Sequence, residues 1–388
     1  MTTTTASGAR AVEAARSLEA AIRLAAPEIE REGRLPQSLV QSFNDAGLFH
    51  LMITEDLGGI QADPISAAKV VEEVAKVDGS AGWCIMIAAQ CAAFSGFMPP
   101  AEVKTIWGNR GIVAGTARPI GRAVLTDSPE PGFKVSGKWP IASGSSHATW
   151  FAAECIIYDG EEPRRDAEGN EVSRVCFVPA ADVTVLPTWD TLGLRGTASN
   201  DFSIDNVFVP AARGFQMIAD APVNPWPVYR APALIFMNHG SHALGIARGA
   251  VDAAIEIASS KVGWGGVPLR QVVTMQQTIA EATAQVEAAS AYLYNSAEAL
   301  WQSVLDGRDE PQLRAKLRLA SSHAASASVI AVDLVHSALA TSAIYTKSPL
   351  DRQFRDIHTA AAHVMIGSLT YQAAGRTLLG MEAAFPFF

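Results

Sequence analysis

The spacing of hydrophobic residues changes twice along this chain, and that change constrains the fold more than any other feature. Residues 1–113 and 233–388 carry apolar side chains at helical spacing. Between them, short β-like runs are separated by Gly, Pro and Asp clusters. These runs cover residues 112–115, 133–136, 150–158, 173–179, 183–186 and 202–209. We therefore predict an α+β fold, mostly α. An N-terminal helical domain (1–113) would precede a middle β-barrel or sandwich (114–212) and a C-terminal four-helix bundle (213–388).

The C-terminal part contains four long segments with alanine-rich faces, at residues 233–261, 269–307, 312–340 and 354–379. Such faces are typical of closely packed bundle helices. We expect the last segment to be one continuous helix that follows a charged loop. On that helix Arg355, Thr359 and His363 would share one face, because residues four apart are neighbours. His358 would point elsewhere.

Composition excludes several classes of protein. The chain has 388 residues, of which 49% are hydrophobic and 18% charged, so it is not a disordered chain. Its net charge of -9 argues against nucleic acid and against anionic membranes as partners. No Cys-x-x-Cys pair occurs, so neither a disulfide framework nor a zinc site is indicated. The polar N-terminus is not a signal peptide, and we find no run long and apolar enough to span a membrane. These features predict a soluble, cytoplasmic protein.

One stretch carries a specific family resemblance. Residues 188–210 contain Leu-Gly-Leu-Arg-Gly-Thr followed by Asp-Asn-Val-Phe-Val-Pro. This pattern resembles the β-domain signature of the acyl-CoA dehydrogenase superfamily. Asp-Leu-Gly-Gly at Asp56, Val-Glu-Glu-Val-Ala at Val71 and Ala-Leu-Gly-Ile-Ala-Arg-Gly-Ala at Ala243 match other landmarks of that superfamily. The resemblance covers nearly the whole chain. It implies the three-part fold, a flavin between the β-domain and the bundle, and a homotetramer.

The catalytic base of the dehydrogenases is missing from its usual position. Dehydrogenases of this superfamily remove a substrate proton with a carboxylate, and a general base must lie within hydrogen-bond reach. In the commonest branch that carboxylate shortly follows an Arg-Asp pair, here at 355–356. Residues 357–381 contain no Asp or Glu. An acyl-CoA dehydrogenase or oxidase with a displaced base, Glu256 or Asp252, stays open as the alternative.

Two further stretches are similar to the flavin-dependent monooxygenase branch of the superfamily. They are Gly-Lys-Trp-Pro-Ile-Ala-Ser-Gly at 137–144 and the sixteen residues from Ser348 to His363. That branch includes the oxygenase component of p-hydroxyphenylacetate hydroxylase and dibenzothiophene monooxygenase. The resemblance implies reduced flavin from a separate NAD(P)H:flavin reductase, a C4a-hydroperoxyflavin formed with O2, and hydroxylation of a small aromatic substrate. The absence of a Gly-x-Gly-x-x-Gly dinucleotide motif fits this scheme.

The same resemblance suggests individual roles. It places Ser143 at flavin N5 and His363 near C4a, facing the substrate. A serine hydroxyl can donate or accept there, and a neutral histidine can orient a phenol or take its proton at neutral pH. The resemblance also suggests cofactor contacts from four further residues: Trp139, Gly144, Thr116 and Arg355. Packing inside the β-domain stays an alternative for Trp139. For Arg355 we expect an ion pair with Asp356 at the start of the helix.

Several questions stay open at this stage. Gln90 and Cys91 stand where some related monooxygenases carry a histidine. Either the substrate is recognised differently or it needs no second histidine, and N- and S-oxygenation stay alternatives for that reason. Residues 265–273 lack the Arg-x-x-Phe-Gly motif of FAD-binding dehydrogenases, which favours reduced FMN over FADH2. His239 and His242 have no third ligand nearby in sequence, so we predict no metal site. A scaffold that no longer binds flavin is the non-enzyme alternative.

Overall fold

The structure is a computed structural model that describes residues 4–217, 220–263, 265–308, 310–385 and 388. Six α-helices form its N-terminal part. They are α1 (Ala6–Ser17), α2 (Glu19–Glu32), α3 (Gln37–Asp45), α4 (Pro64–Val77), α5 (Gly79–Ala92) and α6 (Pro100–Trp107). Aspartate side chains fix the starts of the two most buried helices. Asp63 accepts a hydrogen bond from Ser66 N at the start of α4, and Asp78 accepts one from Ala81 N at the start of α5.

One eight-stranded sheet forms the middle of the molecule. Its strands are β1 (Val113–Thr126), β2 (Gly132–Ala142), β3 (Trp150–Asp159), β4 (Glu162–Pro163), β5 (Ser173–Pro179), β6 (Thr184–Leu186), β7 (Asn200–Pro210) and β8 (Gly214–Phe215). The strand order is β6-β7-β2-β1-β3-β5-β8, with β4 paired to β3. Phe151 on β3 and Phe202 on β7 are not on neighbouring strands, yet their ring centroids lie 4.9 Å apart. The sheet therefore curls around its own core.

The remaining helices are α7 (Pro232–Phe236), α8 (Asn238–Ser260), α9 (Val273–Leu305), α10 (Pro311–Leu339), α11 (Pro349–Ala360) and α12 (Ser368–Leu378). The predicted fold class is confirmed, whereas the exact limits of the three domains stay a prediction. The single helix predicted over 354–379 is wrong. The backbone of His363 is extended, with φ -71° and ψ 135°, and its side chain caps the 3-10 turn that follows. The chain thus breaks between α11 and α12, and His363 does not share a helical face with Arg355.

Two helical segments correct our expectation about membrane-length runs. Gly79–Phe97 and Pro311–Ser342 are long and apolar enough to cross a membrane by length and composition alone. The first is 83% buried inside the protein and the second 44%. The core helix of a soluble protein can have the same length and apolar composition. The four cysteines (Cys84, Cys91, Cys155 and Cys176) are buried and free.

Candidate active site

Three histidine rings surround the indole ring of Trp83, which lies on the buried helix α5. The ring centroids of His239, His242 and His363 lie 5.7, 5.1 and 5.5 Å from that of Trp83, each at a steep angle. The rings of His239 and His363 stack on each other at 4.4 Å. This cluster brings together α5, the first turns of α8 and the break after α11. The helix break described above is what presents His363 to the other two rings.

A chain of buried hydroxyl groups connects this cluster to the β-domain. Trp83 Nε1 donates to Ser143 Oγ at 3.0 Å, Ser143 Oγ lies 2.7 Å from Ser199 Oγ, and Ser199 Oγ lies 2.6 Å from Thr197 Oγ1. Because an indole N–H can only donate, Ser143 keeps its own hydrogen and one lone pair for other partners. Ser143 and His363 thus both contact Trp83, although they are 220 positions apart in the sequence.

The hydrogen bonds of His363 define its tautomer. Its Nδ1 accepts from Met365 N at 3.3 Å, so in the neutral ring the hydrogen is on Nε2. Burial lowers the pKa of His363 to about 4, with a further contribution from the charge of Arg318. At neutral pH the side chain is therefore an uncharged imidazole that offers an N–H donor at Nε2.

His239 has the complementary arrangement. Its Nδ1 lies 3.2 Å from the carbonyl oxygen of Phe236, which can only accept, so the hydrogen is on Nδ1. The Nε2 atom is then a bare acceptor, and it has no hydrogen-bond partner in the part of the chain that the structure describes. Burial, followed by the neighbouring His363, lowers the pKa of His239 well below its usual value. Gln90 Nε2 lies 3.3 Å from the same Nδ1. Because an amide NH2 group only donates, that contact is a hydrogen bond only in the opposite tautomer, and we assign the hydrogen to Nδ1 on the shorter contact with Phe236.

His242 has a structural contact. Its Nε2 lies 2.8 Å from the carbonyl oxygen of Gly79 and donates to it, which ties α8 to the start of α5. Burial lowers the pKa of His242 to about 4, so this ring is also neutral at physiological pH. Among the described residues, no group of three or more His, Cys, Asp or Glu side chains is arranged to hold a metal ion. The three histidines face an indole ring rather than a common point.

Three of the other predicted cofactor residues belong to the β-domain. Trp139 is 0% exposed, stacks on Phe202 at 5.1 Å, and donates through Nε1 to the carbonyl of Glu154 at 2.8 Å. Trp139 fills the interior of the sheet, so its position fits packing inside the β-domain better than a contact with the flavin. Gly144 directly follows Ser143 and turns the chain with φ +81°, a conformation that favours glycine. Thr116 is half-buried on β1, where the pairing with β3 shifts register.

Arg355 corrects one expectation. Its guanidinium donates to Asp351 and to Glu30, both at 2.8 Å, and to the carbonyl of Leu192 at 2.9 Å. The predicted ion pair with Asp356 is therefore wrong. Asp356 turns to the other side of α11, where its Oδ1 accepts from Leu194 N at 2.6 Å. Arg355 and Asp356 thus both attach α11 to the Leu-Gly-Leu-Arg-Gly loop. His358 lies outside the histidine cluster and contacts Asp333 at 2.9 Å.

The candidate bases of the dehydrogenase alternative lie far from this cluster. Asp252 is exposed on α8 and pairs with Lys76 at 2.7 Å, and Glu256 is also exposed. Asp252 is thirteen residues beyond His239 on the same helix. At a rise of 1.5 Å per residue this is about 20 Å along the axis. Neither carboxylate reaches the histidine cluster.

Sequence reasoning missed the contacts made by Trp83, His239 and Arg318. The Gly82-Trp83 step and the adjacent histidines of α8 are visible in the sequence, but nothing in the local pattern shows that they meet. Arg318 lies in the first third of α10 and is fully buried. A buried cation in an alanine-rich helix is an unusual position for arginine, and that was the available signal. Tyr229 is buried and donates to the carbonyl of Met52 at 2.9 Å, which is a packing role.

Comparison with known proteins decides the family. The family models described as "Acyl-CoA dehydrogenase, N-terminal domain" and "Acyl-CoA dehydrogenase, C-terminal domain" match residues 10–97 and 237–368. An indole-3-acetate monooxygenase from Pseudomonas putida is 30% identical over 364 residues, which covers 92% of this chain and 90% of that protein. The chain belongs to the acyl-CoA dehydrogenase superfamily.

Further relatives define the branch. The oxygenase component of an FADH(2)-dependent resorcinol hydroxylase from Rhizobium sp. is 26% identical over 387 residues, covering 93% of this chain and 91% of that protein. The crystal structure of the HsaA monooxygenase from M. tuberculosis superposes with a TM-score of 0.86 at 25% identity, covering 98% of this chain and 100% of that one. This member of the superfamily is thus a flavin-dependent monooxygenase, an oxygenase component that uses reduced flavin.

The polar groups of the site fit a flavin. Ser143 is buried and is held by Trp83 and Ser199, and these two bonds leave either its hydrogen or one lone pair free. It therefore suits a ring nitrogen that must be hydrogen-bonded. Among the described residues, the rings that pair with Trp83 are three neutral histidines, and its indole N–H donates to this serine. Such a site suits oxygen transfer better than removal of a carbon-bound proton by a carboxylate.

Proposed function

We propose that this oxygenase hydroxylates a small aromatic compound whose ring carries a hydroxyl or N–H group next to the stacked pair His239 and His363. The observation that supports this most is the complementary pair of ring nitrogens. His363 offers an N–H donor at Nε2, and His239 offers a bare acceptor at Nε2, in rings stacked at 4.4 Å. When bound, the reduced flavin supplies the electrons that activate O2 and delivers one oxygen atom, while the other leaves as water.

His239 would accept a hydrogen bond from the ring hydroxyl or N–H of the substrate. Such a bond increases electron density in the ring, which favours attack on an electrophilic oxygen. The lone pair on His239 Nε2 is available for this because Nδ1 is committed to the Phe236 carbonyl. His363 would orient a substrate oxygen through its Nε2–H. Of the two roles considered for His363, the tautomer inferred from the Met365 N–H contact favours orientation, since proton removal at Nε2 requires the hydrogen to be on Nδ1 instead.

Ser143 would hold the N5 edge of the flavin, with Gly144 allowing close approach of the backbone. Trp83 positions the Ser143 hydroxyl through its indole N–H. Thr116 stays a candidate contact on β1. We assign Trp139 and Arg355 to positioning, because the first is enclosed in the core of the sheet and the second is engaged by two carboxylates.

We further propose a reduced FMN cofactor supplied by a separate NAD(P)H:flavin reductase, a homotetramer and a cytoplasmic location. The missing FAD motif supports FMN, whereas the name of the Rhizobium relative gives FADH2, so both flavins belong in every assay. The names of two relatives give indole-3-acetate and resorcinol, which supports an aromatic substrate. N- and S-oxygenation stay alternatives within the same chemistry.

The test combines the chain with a flavin reductase, NADH, FMN or FAD, and a panel of phenols and indoles under 18O2. The expected result is a product that carries one labelled oxygen atom. His239→Asn should lower product per reduced flavin by about 10- to 100-fold, with more hydrogen peroxide, because the flavin is still oxidised without the hydrogen bond. His323→Asn, at an exposed histidine of α10, is the matched control and should change neither quantity. Bleaching of oxidised flavin by an acyl-CoA, with no labelled product, would contradict the proposal.

A further inference from the structure

Arg318 is a buried cation that has no anionic partner among the described residues. Its side chain is 0% exposed and lies in the first third of α10. Its Nε and Nη1 atoms have no hydrogen-bond partner among the described residues. Its Nη2 lies 3.9 Å from the thioether of Met365, which is a weak acceptor, and the guanidinium lies 5.8 Å from the ring centroid of Phe385.

Three partly buried arginines of the helical parts pair with carboxylates. Arg352 lies 3.3 Å from a carboxylate oxygen of Asp78, Arg355 lies 2.8 Å from Asp351, and Arg248 contacts Glu72. Arg318 makes no such pair in the described ranges of the chain. Burial alone lowers its pKa to about 10, with no acidic group to oppose the effect, so it is still charged at neutral pH. A buried guanidinium is costly unless it is paired, and the described residues supply no acidic partner for it.

Arg318 also belongs to the histidine site. The thioether that it contacts is that of Met365, whose backbone N–H donates to His363 Nδ1. After the effect of burial, its positive charge also lowers the pKa of both His363 and His239. The contacts run from Ser143 through Trp83 and His363 to Met365 and Arg318. Arg318 and Ser143 therefore join the cluster through different residues, Met365 and Trp83.

We propose that Arg318 binds a carboxylate of the substrate, so that this oxygenase acts on aromatic carboxylic acids. This inference rests on the proposed function, because it assumes that the aromatic ring lies against His239 and His363. A guanidinium binds a carboxylate with two parallel hydrogen bonds, and Nε and Nη1 are the two free donors. The acid fixes one end of the substrate, and the ring hydroxyl or N–H fixes the other. The bound anion also neutralises the buried charge.

The test compares each acid with its neutral amide of nearly the same shape. The probes are 4-hydroxyphenylacetate and indole-3-acetate against the corresponding acetamides. Binding is measured anaerobically by calorimetry on the protein saturated with reduced flavin, so the readout does not depend on turnover. Wild type should bind at least one acid about 10- to 100-fold more tightly than its amide, as expected for hydrogen bonds between charged groups. Arg318→Met should bind acid and amide equally, and Arg318→Lys should keep part of the preference.

Arg308→Met, at an exposed arginine between α9 and α10, is the matched control and should keep the preference for the acid. Arg318→Met should melt at or above the temperature of wild type, because it removes an uncompensated buried charge. If wild type binds amides as tightly as acids while still producing labelled hydroxylated product, the inference is wrong and the proposed function stands. If Arg318→Met weakens binding of reduced flavin without changing the ratio of acid to amide, Arg318 serves the cofactor and the inference is also wrong. Failure of the proposed function would instead appear as no labelled product from any substrate.

Discussion

Asp356 should make the stability of this protein fall as pH rises. Its carboxylate is buried where α11 meets α5, and a Cβ added at Gly79 would lie 2.8 Å from its Oδ2. Oδ1 accepts from Leu194 N at 2.6 Å, but Oδ2 has no hydrogen-bond partner among the described residues. Burial, followed by the nearby charge of Asp78, raises the pKa of Asp356 from 3.8 to about 7. Arg352, beside Asp78, only partly offsets this.

The sign and size follow from linkage. A carboxyl group whose pKa is higher in the folded state binds its proton more tightly there, so the folded state loses stability as pH rises from about 4 to about 7. The pKa difference of about 3 corresponds to about 4 kcal/mol at 1.4 kcal/mol per unit. Asp356→Asn keeps the acceptor for Leu194 N and removes the charge. We expect it to match wild type near pH 4 and to be more stable by up to about 4 kcal/mol at pH 8.

The assay is urea unfolding of wild type and Asp356→Asn from pH 4 to pH 8, with the first unfolding transition compared at each pH. Asp252→Asn, at an exposed surface pair, is the control, and its effect should stay within about 0.5 kcal/mol at every pH. An Asp356→Asn protein that is less stable than wild type at pH 8 would refute the reasoning. A difference between the two proteins that is independent of pH would refute it as well.

Three further predictions concern the site. Trp83→Phe removes the N–H that orients Ser143 but keeps an aromatic ring at this position. We expect a stability loss of about 1 kcal/mol and less product per reduced flavin. Unchanged hydrogen peroxide release would contradict the role of Trp83 in orienting Ser143. Because the pKa of His363 is about 4, the hydroxylation rate at saturating substrate should show no titration of this ring between pH 6 and 8. A change in the hydroxylation rate near pH 6.5 that disappears in His363→Asn would contradict the burial of this ring. Trp139→Phe should lower the denaturation midpoint, with a stability loss of about 1–3 kcal/mol, because this residue packs the core of the β-domain. Flavin affinity, measured by titration, should stay unchanged. A loss of flavin affinity without a loss of stability would show that Trp139 contacts the cofactor.

The sequence predicted the fold well because period and composition change sharply where the architecture changes. The strand runs around residues 133–136, 150–158 and 202–209 all fall within observed strands. The helix break before α12 was missed for a local reason. The residues on both sides of His363 have good helical spacing, and the break depends on an extended backbone at that histidine and on its side-chain cap, which periodicity does not report.

The site was predictable only where a family motif marked it. Ser143 and His363 both lie within such motifs, and the structure brings them to the same indole ring. The contact between Gln90 and His239 joins residues 149 positions apart, and no local pattern encodes it. Arg318 follows Arg314 and Lys316 in α10, so its significance appears only once its surroundings among the described residues are known. Arg355 shows a different kind of error. Its position next to Asp356 suggested an ion pair, but consecutive residues on a helix point in different directions, and the two side chains bind other partners.

The most direct test of the central claim is rapid mixing of the protein, loaded anaerobically with reduced FMN or FADH2, with oxygenated buffer. If the chain is an oxygenase component that protects its activated oxygen, near-ultraviolet absorbance should rise and then decay before oxidised flavin appears, and it should do so more slowly than with free flavin. Added aromatic substrate should yield hydroxylated product in the same turnover. Direct appearance of oxidised flavin at the rate of free flavin, with both flavins and without product, would contradict the account.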